Sequence, residues 1–288
     1  MTTQKNALML FSKPPIPGMV KTRLTTKYDG LFTEVQAATL YRRMMLDVLE
    51  CALQALDRLE EQNRREREEN PNVVEQVYDM FVSTTPAKNV EVMEKVLAES
   101  GEWSRPIHVI EDAGKVFDDH FDDAFNKVFA MGYGTCIALG GDLPIMPRTH
   151  IIDAFNHLHR FQSLYPEGGM VLAPCQASGT SLVGYTPECG MNNQTVYYNA
   201  AGRPALQAYV DKARELGDVH MALLDAVPDV DNMEDFAHVV TVTNALEHAA
   251  LSQDVFVPHR TLTFIRAMGV TVSTPPNRNF DNRDEIDK

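Results

Sequence analysis

The sequence is poor in the features that mark several common classes of protein. Its four cysteines are scattered without a C-x-x-C pair, which argues against a zinc finger or a disulfide framework and favours reduced thiols. No apolar run suits a membrane span or a signal peptide. A net charge of −14 argues against a surface that binds nucleic acid. We therefore expect a cytoplasmic protein whose partners include neither a membrane nor a nucleic acid.

Familiar catalytic patterns are also missing. The nine histidines show no metal-ligand spacing, and no pattern supports a Ser-His-Asp triad or a cysteine nucleophile. The Gly-rich phosphate loop G-x-x-x-x-G-K-[ST] is absent as well. With 288 residues and 44% hydrophobic content, the chain is nevertheless long enough to bury a sizeable core.

Strand-like and helix-like segments alternate along the chain. The predicted strands cover residues 7–12, 77–82, 106–110, 135–139, 170–173, 181–185 and 219–224. A capping-box spacing at Thr33 opens a long helical pattern, and further helices are predicted at 89–99, 118–129, 149–161 and 203–216. This alternation predicts an α/β three-layer sandwich, with a mostly parallel sheet and helices on both faces. A ligand should then bind at the carboxyl ends of the strands.

The chain divides by composition into a main domain and a C-terminal extension. We expect the main domain to cover residues 1–243, with a charged helical insertion at about 57–75 that forms a solvated face. Residues 244–288 form the extension. Its apolar patches predict packing on the main domain or on a second copy of the chain, which would make a homodimer. The polar tail from 275 to 288 is expected to be disordered.

The loop after the first predicted strand is the most informative stretch. It combines a rigid Pro-rich turn and free backbone N–H groups with fixed positive charges at Lys21 and Arg23. Loops of this kind, at the end of a parallel strand, hold phosphates in α/β proteins. A surface loop with solvated cations is the alternative, and local composition leaves the two interpretations equal.

Two acidic positions follow other predicted strands. Asp142 comes after two glycines and could hold Mg²⁺ together with phosphate oxygens, or it could cap the next helix. In the segment 228–235, Asp231 and Glu234 have the spacing of a helix N-cap and its reciprocal partner. The alternative makes Asp229 or Asp231 the second carboxylate of a Mg²⁺ site that faces Asp142.

Together these residues resemble a known family. The run Phe-Ser-Lys-Pro-Pro-Ile-Pro-Gly-Met-Val-Lys-Thr-Arg-Leu at 11–24 resembles the N-terminal signature of a bacterial glycosyltransferase-like family, domain of unknown function 2064. This family has the GT-A (nucleotide-diphospho-sugar transferase) fold. The resemblance covers about residues 7–240, and its other matching parts are Asp47, 117–129, 140–144 and 229–236. The Lys-Thr-Arg-Leu and Asp-Leu-Pro elements are also similar to those of guanylyltransferases that activate 2-phospho-lactate.

The resemblance implies a transferase with Mg²⁺ or Mn²⁺ as cofactor, and it assigns roles to residues by position. It implies catalytic roles for Lys21, Arg23 and Asp142. The nucleotide phosphates would be bound by Ser12, Lys13, Gly18, Lys21, Thr22, Arg23, Gly140 and Gly141. The metal would be bound by Asp142 and, as a weaker candidate, by Asp231. Apart from the resemblance, Ser178, Gly179 and Thr180 lie between apolar runs and could offer hydroxyl and N–H groups to an acceptor, with a simple turn as the equal alternative.

Three functions stay open at this point. Glycosyl transfer from a nucleotide-sugar to a small-molecule acceptor comes first. Nucleotidyl transfer from a nucleoside triphosphate, with release of pyrophosphate, comes second, and nucleotide binding without catalysis comes third. The family usually has Asp-Gly-Gly-Tyr where this chain has Ala-Ser-Gly-Thr-Ser at 177–181, and the Gly-Thr pair is closer to the guanylyltransferases. The identity of the acceptor is therefore left open.

Overall fold

The structure is a computed structural model that describes residues 3–217 and 219–273. Within these residues, strands and helices alternate as the sequence predicts. The strands are β1 Thr3–Phe11, β2 Glu75–Thr84, β3 Ile107–Glu111, β4 Thr135–Gly140, β5 Met170–Pro174, β6 Thr180–Tyr185 and β7 Met221–Leu223. The helices are α1 Glu34–Glu69, α2 Lys88–Ala98, α3 Phe117–Ala130, α4 Arg148–Leu164, α5 Ala205–Glu215, α6 Met233–Ala249 and α7 His259–Ala267. No helix in the described part of the chain is long and apolar enough to cross a membrane.

The strands form one sheet in the order β3-β2-β1-β4-β6-β5-β7. β1 pairs in parallel with both β2 and β4, whereas β6 runs antiparallel to β4 and β5. From β1 the chain continues outward to β2, and from β4 it continues toward the opposite edge of the sheet. A crevice therefore opens between the carboxyl ends of β1 and β4, where open α/β sheets bind ligands. The sheet is mostly parallel, which confirms the predicted fold class.

Both faces of the sheet are covered by helices. In β1, Leu8 and Leu10 belong to an apolar cluster that includes α1 and α4, whereas Ala7 and Met9 belong to a second cluster with α3 and α5. Successive side chains of a strand point to opposite faces, so a strand that is buried on both sides must be apolar throughout. This explains the continuous apolar run at the start of the sequence and confirms the three layers.

Helix α1 is a single helix of 36 residues, and it begins at the predicted capping box of Thr33 and Gln36. The predicted charged insertion forms the last turns of this helix and the connection to β2, which begins at Glu75. The exposed side of these turns carries ion pairs between neighbouring turns, such as Arg64 with Glu61 and Glu68. Pairs of this type on a solvated helix surface are screened by water and contribute little to stability.

The C-terminal extension packs on the main body of the chain. Phe264 and Ile265 of α7 are buried in the same apolar cluster as α1. The buried carboxylate of Asp47 in α1 accepts hydrogen bonds from the backbone N–H groups of Arg260 and Thr261 at the start of α7. Packing on the main domain is the first of the two alternatives that the sequence allows. The division at residue 243, which falls within α6, stays a prediction, and the polar tail lies outside the described residues.

Candidate functional site

The loop after β1 places Lys21 at the carboxyl ends of the central strands. Lys21 directly precedes a short 3₁₀ helix, Thr22–Leu24, and has φ 46° and ψ 39°. This left-handed conformation is uncommon for a residue with a Cβ atom. The side chain is only 8% exposed, and its ammonium group contacts Asp142 and lies 3.3 Å from Oδ1 of Asp231. The ammonium group of Lys21 therefore links Asp142, which follows β4, with Asp231, which precedes α6.

The surroundings of Lys21 determine its charge. Burial opposes a charge there, but the carboxylates of Asp142 and Asp231 raise the pKa of Lys21 above its ordinary value. The hydroxyl of Tyr41, from α1, is also buried, and burial together with Asp142 raises the pKa of Tyr41 to about 12. At neutral pH the site therefore contains a fixed ammonium group and a neutral phenol.

The start of α6 corrects one prediction. The helix has a capping box, but its N-cap is Asn232 and the reciprocal partner is Asp235, one residue later than the predicted pair of Asp231 and Glu234. The Asn232 side chain accepts hydrogen bonds from two backbone N–H groups, at 2.8 and 3.1 Å. The helix thus does not use the carboxylate of Asp231, which contacts Lys21 instead.

A cleft of about 680 Å³ extends from this point along the carboxyl ends of β1, β2 and β3, within the size range of small-molecule sites. One end is polar and includes Lys21 and Asp142. Another part is aromatic: Phe117 packs against Phe11 and Tyr197, with ring centroids 5.3 and 4.7 Å apart. The cleft thus offers both a charged end and an apolar wall to a ligand.

Some of the predicted site residues line this cleft and others do not. Those predicted to bind phosphates that line it are Ser12, Lys13, Lys21, Gly140 and Gly141, whereas Gly18, Thr22 and Arg23 lie outside its walls. Arg23 is 70% exposed, and one guanidinium nitrogen lies 3.3 Å from Oδ2 of Asp231. These positions leave the predicted roles open. Arg23 lies on the outer side of Asp231, which with Asp142 forms the acidic pair of the site.

The two glycines at the end of β4 are explained by crowding. A Cβ atom at Gly141 would lie 2.9 Å from both the Ser12 Oγ and the Tyr41 hydroxyl, which are themselves 2.7 Å apart. At Gly140 a Cβ would lie 2.7 Å from Oδ1 of Asp142. Distances this short essentially never occur for a real Cβ, so the glycines let the polar side chains of the site come together.

The predicted acceptor residues are separated by the structure. Thr180 lines the cleft with its hydroxyl 3.0 Å from that of Tyr197, whereas Ser178 and Gly179 do not line it. They belong to a tight turn in which the Gln176 side chain holds Asp229, accepting from its N–H at 3.1 Å and donating to its carbonyl at 2.9 Å. Burial and repulsion by the neighbouring carboxylates raise the pKa of Asp229 to about 6.

Sequence reasoning missed a second polar group in the cleft. Ser83 Oγ donates to Asp112 Oδ2 at 2.8 Å, and Asp112 Oδ1 lies 2.8 Å from His120 Nδ1. All three residues line the cleft, and burial raises the pKa of Asp112. They come from three different elements and share no motif. The signal in the sequence is weak: a polar residue follows soon after each of two predicted strands.

The acidic pair suits a metal that is shared with a ligand. Among residues 3–217 and 219–273, no three His, Cys, Asp or Glu side chains form a group that could hold a metal ion. Asp142 and Asp231 supply two carboxylates joined by Lys21, and Oδ1 of Asp142 accepts no hydrogen bond from the described residues. Mg²⁺ commonly uses one or two protein carboxylates and completes its shell with phosphate oxygens and water. The donor set thus fits Mg²⁺ or Mn²⁺ only when a phosphate is also bound.

Comparison with known proteins supports the resemblance found in the sequence. Residues 73–199 match the model of a family described as an uncharacterized protein conserved in bacteria, DUF2064. The fold is similar to that of a candidate nucleotide-diphospho-sugar transferase from Desulfovibrio desulfuricans G20, with a TM-score of 0.66 and 21% identity over 93% of this chain and 96% of that chain. A cytidylyltransferase from Leptospira borgpetersenii serovar Hardjo-bovis aligns with a TM-score of 0.45 and 12% identity over 94% and 100% of the two chains. No curated protein matches the chain at a significant level. The chain has the fold of the nucleotide-diphospho-sugar transferases.

Proposed function

We propose that this protein is a divalent-cation-dependent transferase that uses a nucleotide-sugar as donor and passes the glycosyl group to a small acceptor. The observation that carries the proposal is the buried ammonium group of Lys21, which lies between Asp142 and Asp231. Lys21 and Asp142 line the cleft at the crevice between β1 and β4, where this type of sheet binds ligands, and Asp231 contacts Lys21 from outside the cleft walls. A charge that is buried at a ligand-binding crevice suits an anionic ligand such as a diphosphate.

Lys21 would act on the leaving group. As the bond between the sugar and the diphosphate breaks, negative charge grows on the diphosphate. A fixed cation therefore stabilises the transition state more than it stabilises the ground state. The raised pKa of Lys21, in which Asp142 and Asp231 outweigh burial, keeps this cation charged. In this role Lys21 would contribute electrostatic stabilisation of the leaving group.

Asp142 and Asp231 would hold the divalent cation, which would supply Lewis-acid chemistry to the leaving diphosphate. The chain keeps these two carboxylates together through its backbone as well. The N–H of Val230 donates to the carbonyl of Asp142 at 3.2 Å, which ties the segment before α6 to the end of β4. Arg23, on the outer side of Asp231, would add a second positive charge beside the two carboxylates.

A thermal-shift screen tests the donor. Nucleoside triphosphates and nucleotide-sugars are added with and without Mg²⁺, and we expect at least one of them to raise the melting temperature in a Mg²⁺-dependent way. Asp142→Asn should abolish the effect of Mg²⁺ on binding, with Asp153→Asn on the exposed side of α4 as the matched control. If no nucleotide stabilises the protein, the proposal fails.

Phosphorus NMR then tests the reaction. Release of a nucleoside diphosphate from the selected nucleotide-sugar, in the presence of candidate acceptors, supports glycosyl transfer. Release of pyrophosphate from a nucleoside triphosphate would replace it with nucleotidyl transfer, because the bond that breaks then lies between the α- and β-phosphates. Stabilisation by a nucleotide without turnover of any acceptor would leave a binding protein without catalysis.

A further inference from the structure

A hydrogen-bonded chain of three side chains lines the cleft at the carboxyl ends of β2 and β3. It runs from Ser83, at the end of β2, through Asp112, directly after β3, to His120 in α3. The first two are buried, whereas the His120 side chain is 21% exposed and lines the cleft. The phosphate chemistry proposed above makes no use of this group, so it needs a separate explanation.

We propose that His120 recognises the nucleoside part of the donor, with Nε2 accepting a hydrogen bond from a ribose hydroxyl or a base N–H group. Asp112 and Ser83 are positioning residues that orient the imidazole. The proposal rests on the proposed function, since it names a contact to the donor in the same cleft.

The hydrogen bonds determine what His120 can offer. An ionised carboxylate only accepts hydrogen bonds, so the ring nitrogen that faces Asp112 carries the proton. Nδ1 is therefore the donor, and Nε2 keeps its lone pair. Nε2 makes no hydrogen bond to any residue of the described ranges. In a ring that carries one proton, this arrangement presents Nε2 to the cleft as an acceptor, and a ligand would supply a donor such as O–H or N–H.

The position of His120 suits the nucleoside. β3 lies two strands from β1 in the sheet, and neighbouring strands are about 4.8 Å apart, so the two strand ends are separated by about 10 Å. A nucleoside whose phosphates lie at the crevice spans about this distance. Val116 and Phe117 line the same wall and are partly exposed, which gives the flat face of a base an apolar surface to pack on.

Binding measurements on His120→Ala test the proposal. The probes are the ribonucleotide selected from ATP, GTP, CTP and UTP by the screen, and inorganic pyrophosphate, each with Mg²⁺ in a calorimeter. We expect the variant to bind the ribonucleotide about tenfold more weakly, the effect of one lost hydrogen bond, and to bind pyrophosphate as the unmodified protein does. His248→Ala, which removes an exposed imidazole from α6, should change neither affinity.

The role of Asp112 has its own readout. In Asp112→Asn, the amide NH₂ group can face the ring, and Nδ1 then becomes the acceptor and Nε2 the proton carrier. We expect the ¹⁵N chemical shifts of His120 to report a proton on Nδ1 in the unmodified protein and its displacement in the variant. The variant should also lose affinity for the ribonucleotide but not for pyrophosphate. Unchanged shifts together with unchanged affinity would overturn the positioning role.

Deoxy analogues separate the two sources of the donor group. If the 2′- or 3′-deoxynucleotide binds equally well to the unmodified protein and to His120→Ala, the contact is to that hydroxyl. If both deoxy analogues still lose about tenfold in the variant, the contact is to the base. Equal loss of ribonucleotide and pyrophosphate affinity, or no loss of either, would overturn the proposal while leaving the proposed function in place. If the unmodified protein binds no nucleotide at all, both fail.

Discussion

Two aspartates of this protein each contact a cation, but their surroundings differ. In α1, Asp47 is buried, and its oxygens accept from the backbone N–H groups of Arg260 and Thr261 at 3.2 and 2.7 Å and from the Arg260 guanidinium at 3.3 Å. At the end of β4, Asp142 contacts Lys21, is 21% exposed, and has one oxygen without a hydrogen bond to the described residues.

The difference separates a structural carboxylate from one that is available to a ligand. Both oxygens of Asp47 are already used to fix the start of α7 on α1. Asp142 faces a cleft and keeps acceptor capacity that a metal ion or a ligand can use. Both residues belong to the resemblance pattern read from the sequence, so the pattern alone did not distinguish the two roles. The hydrogen-bond partners do.

The largest effect should follow from Lys21→Met, which removes the charge and keeps the apolar stem. We expect the rate of donor cleavage to fall about 10³-fold, close to 4 kcal/mol, because a preorganised charge near the leaving group is lost. The check is the initial rate of nucleoside diphosphate release, with Lys27→Met, an exposed lysine of the next turn, as control. A rate within tenfold of the unmodified protein would show that Lys21, like Asp47, serves the structure.

Asp47→Ala should affect stability and leave the cleft intact. Two backbone N–H groups and a guanidinium group lose their acceptor, so we expect the free energy of unfolding to fall by about 3 kcal/mol. Urea denaturation measures it, and the nucleotide affinity of the folded protein should not change. Glu50→Ala is the matched control, since Glu50 contacts the same Arg260 from a more exposed position and should cost less than about 1 kcal/mol. Equal losses in the two variants would contradict the special role of Asp47.

A titratable group away from the cleft gives a test through pH. Burial lowers the pKa of His159 to about 4, and its Nε2 lies 2.9 Å from the Asn6 Oδ1. An unfolded histidine titrates near 6.5, so the unfolded chain takes up the proton first. The stability from neutral His159 is thus present above about pH 7 and is lost as the pH falls toward 4.

The measurement compares the unmodified protein with His159→Gln by urea denaturation at pH 7 and pH 5. Between these two values the unmodified protein should lose about 2 kcal/mol more than the variant. Contributions from the carboxylates of the cleft cancel in this difference, because both proteins contain them. The same pH dependence in both proteins would mean that His159 is not held neutral by its surroundings.

The smallest effect should come from Thr33→Ala at the start of α1, the helix that carries both Tyr41 of the site and Asp47. Losing the N-cap should cost about 1 kcal/mol of stability, whereas Thr33→Ser should cost much less. The nucleotide affinity should change by less than about twofold in either variant, because the cap makes no contact with the cleft. A tenfold loss of affinity would show that the cleft and the structural contacts of α1 depend on each other.

Much of the fold could be predicted because it depends on local pattern. A strand buried on both faces needs a continuous apolar run, and a helix with one buried face repeats its apolar residues every three or four positions. The direction of β6 could not be predicted in this way, because composition does not tell a parallel strand from an antiparallel one. Its reversal is set by the tight turn at residues 176–179 and by pairing with two neighbours.

The site was predictable where residues follow central strands. Lys21 and Asp142 were expected near one edge because β1 and β4 both end there. The cap of α6 was placed one residue too early, because Asp and Asn are almost equal as N-caps and two overlapping capping boxes occur in the same segment. The contact of Asp112 with Ser83, 29 residues away, depends on strand order, which no local pattern determines.

The contact between α1 and α7 also bears on how the chain is made. Asp47 and Thr261 are 214 positions apart, so the acceptor is synthesised long before its donor. Until the last part of the chain has left the ribosome, α1 exposes the carboxylate of Asp47 and an apolar surface that Phe264 and Ile265 later cover. During that interval the nascent protein presents to chaperones a surface that the finished protein hides.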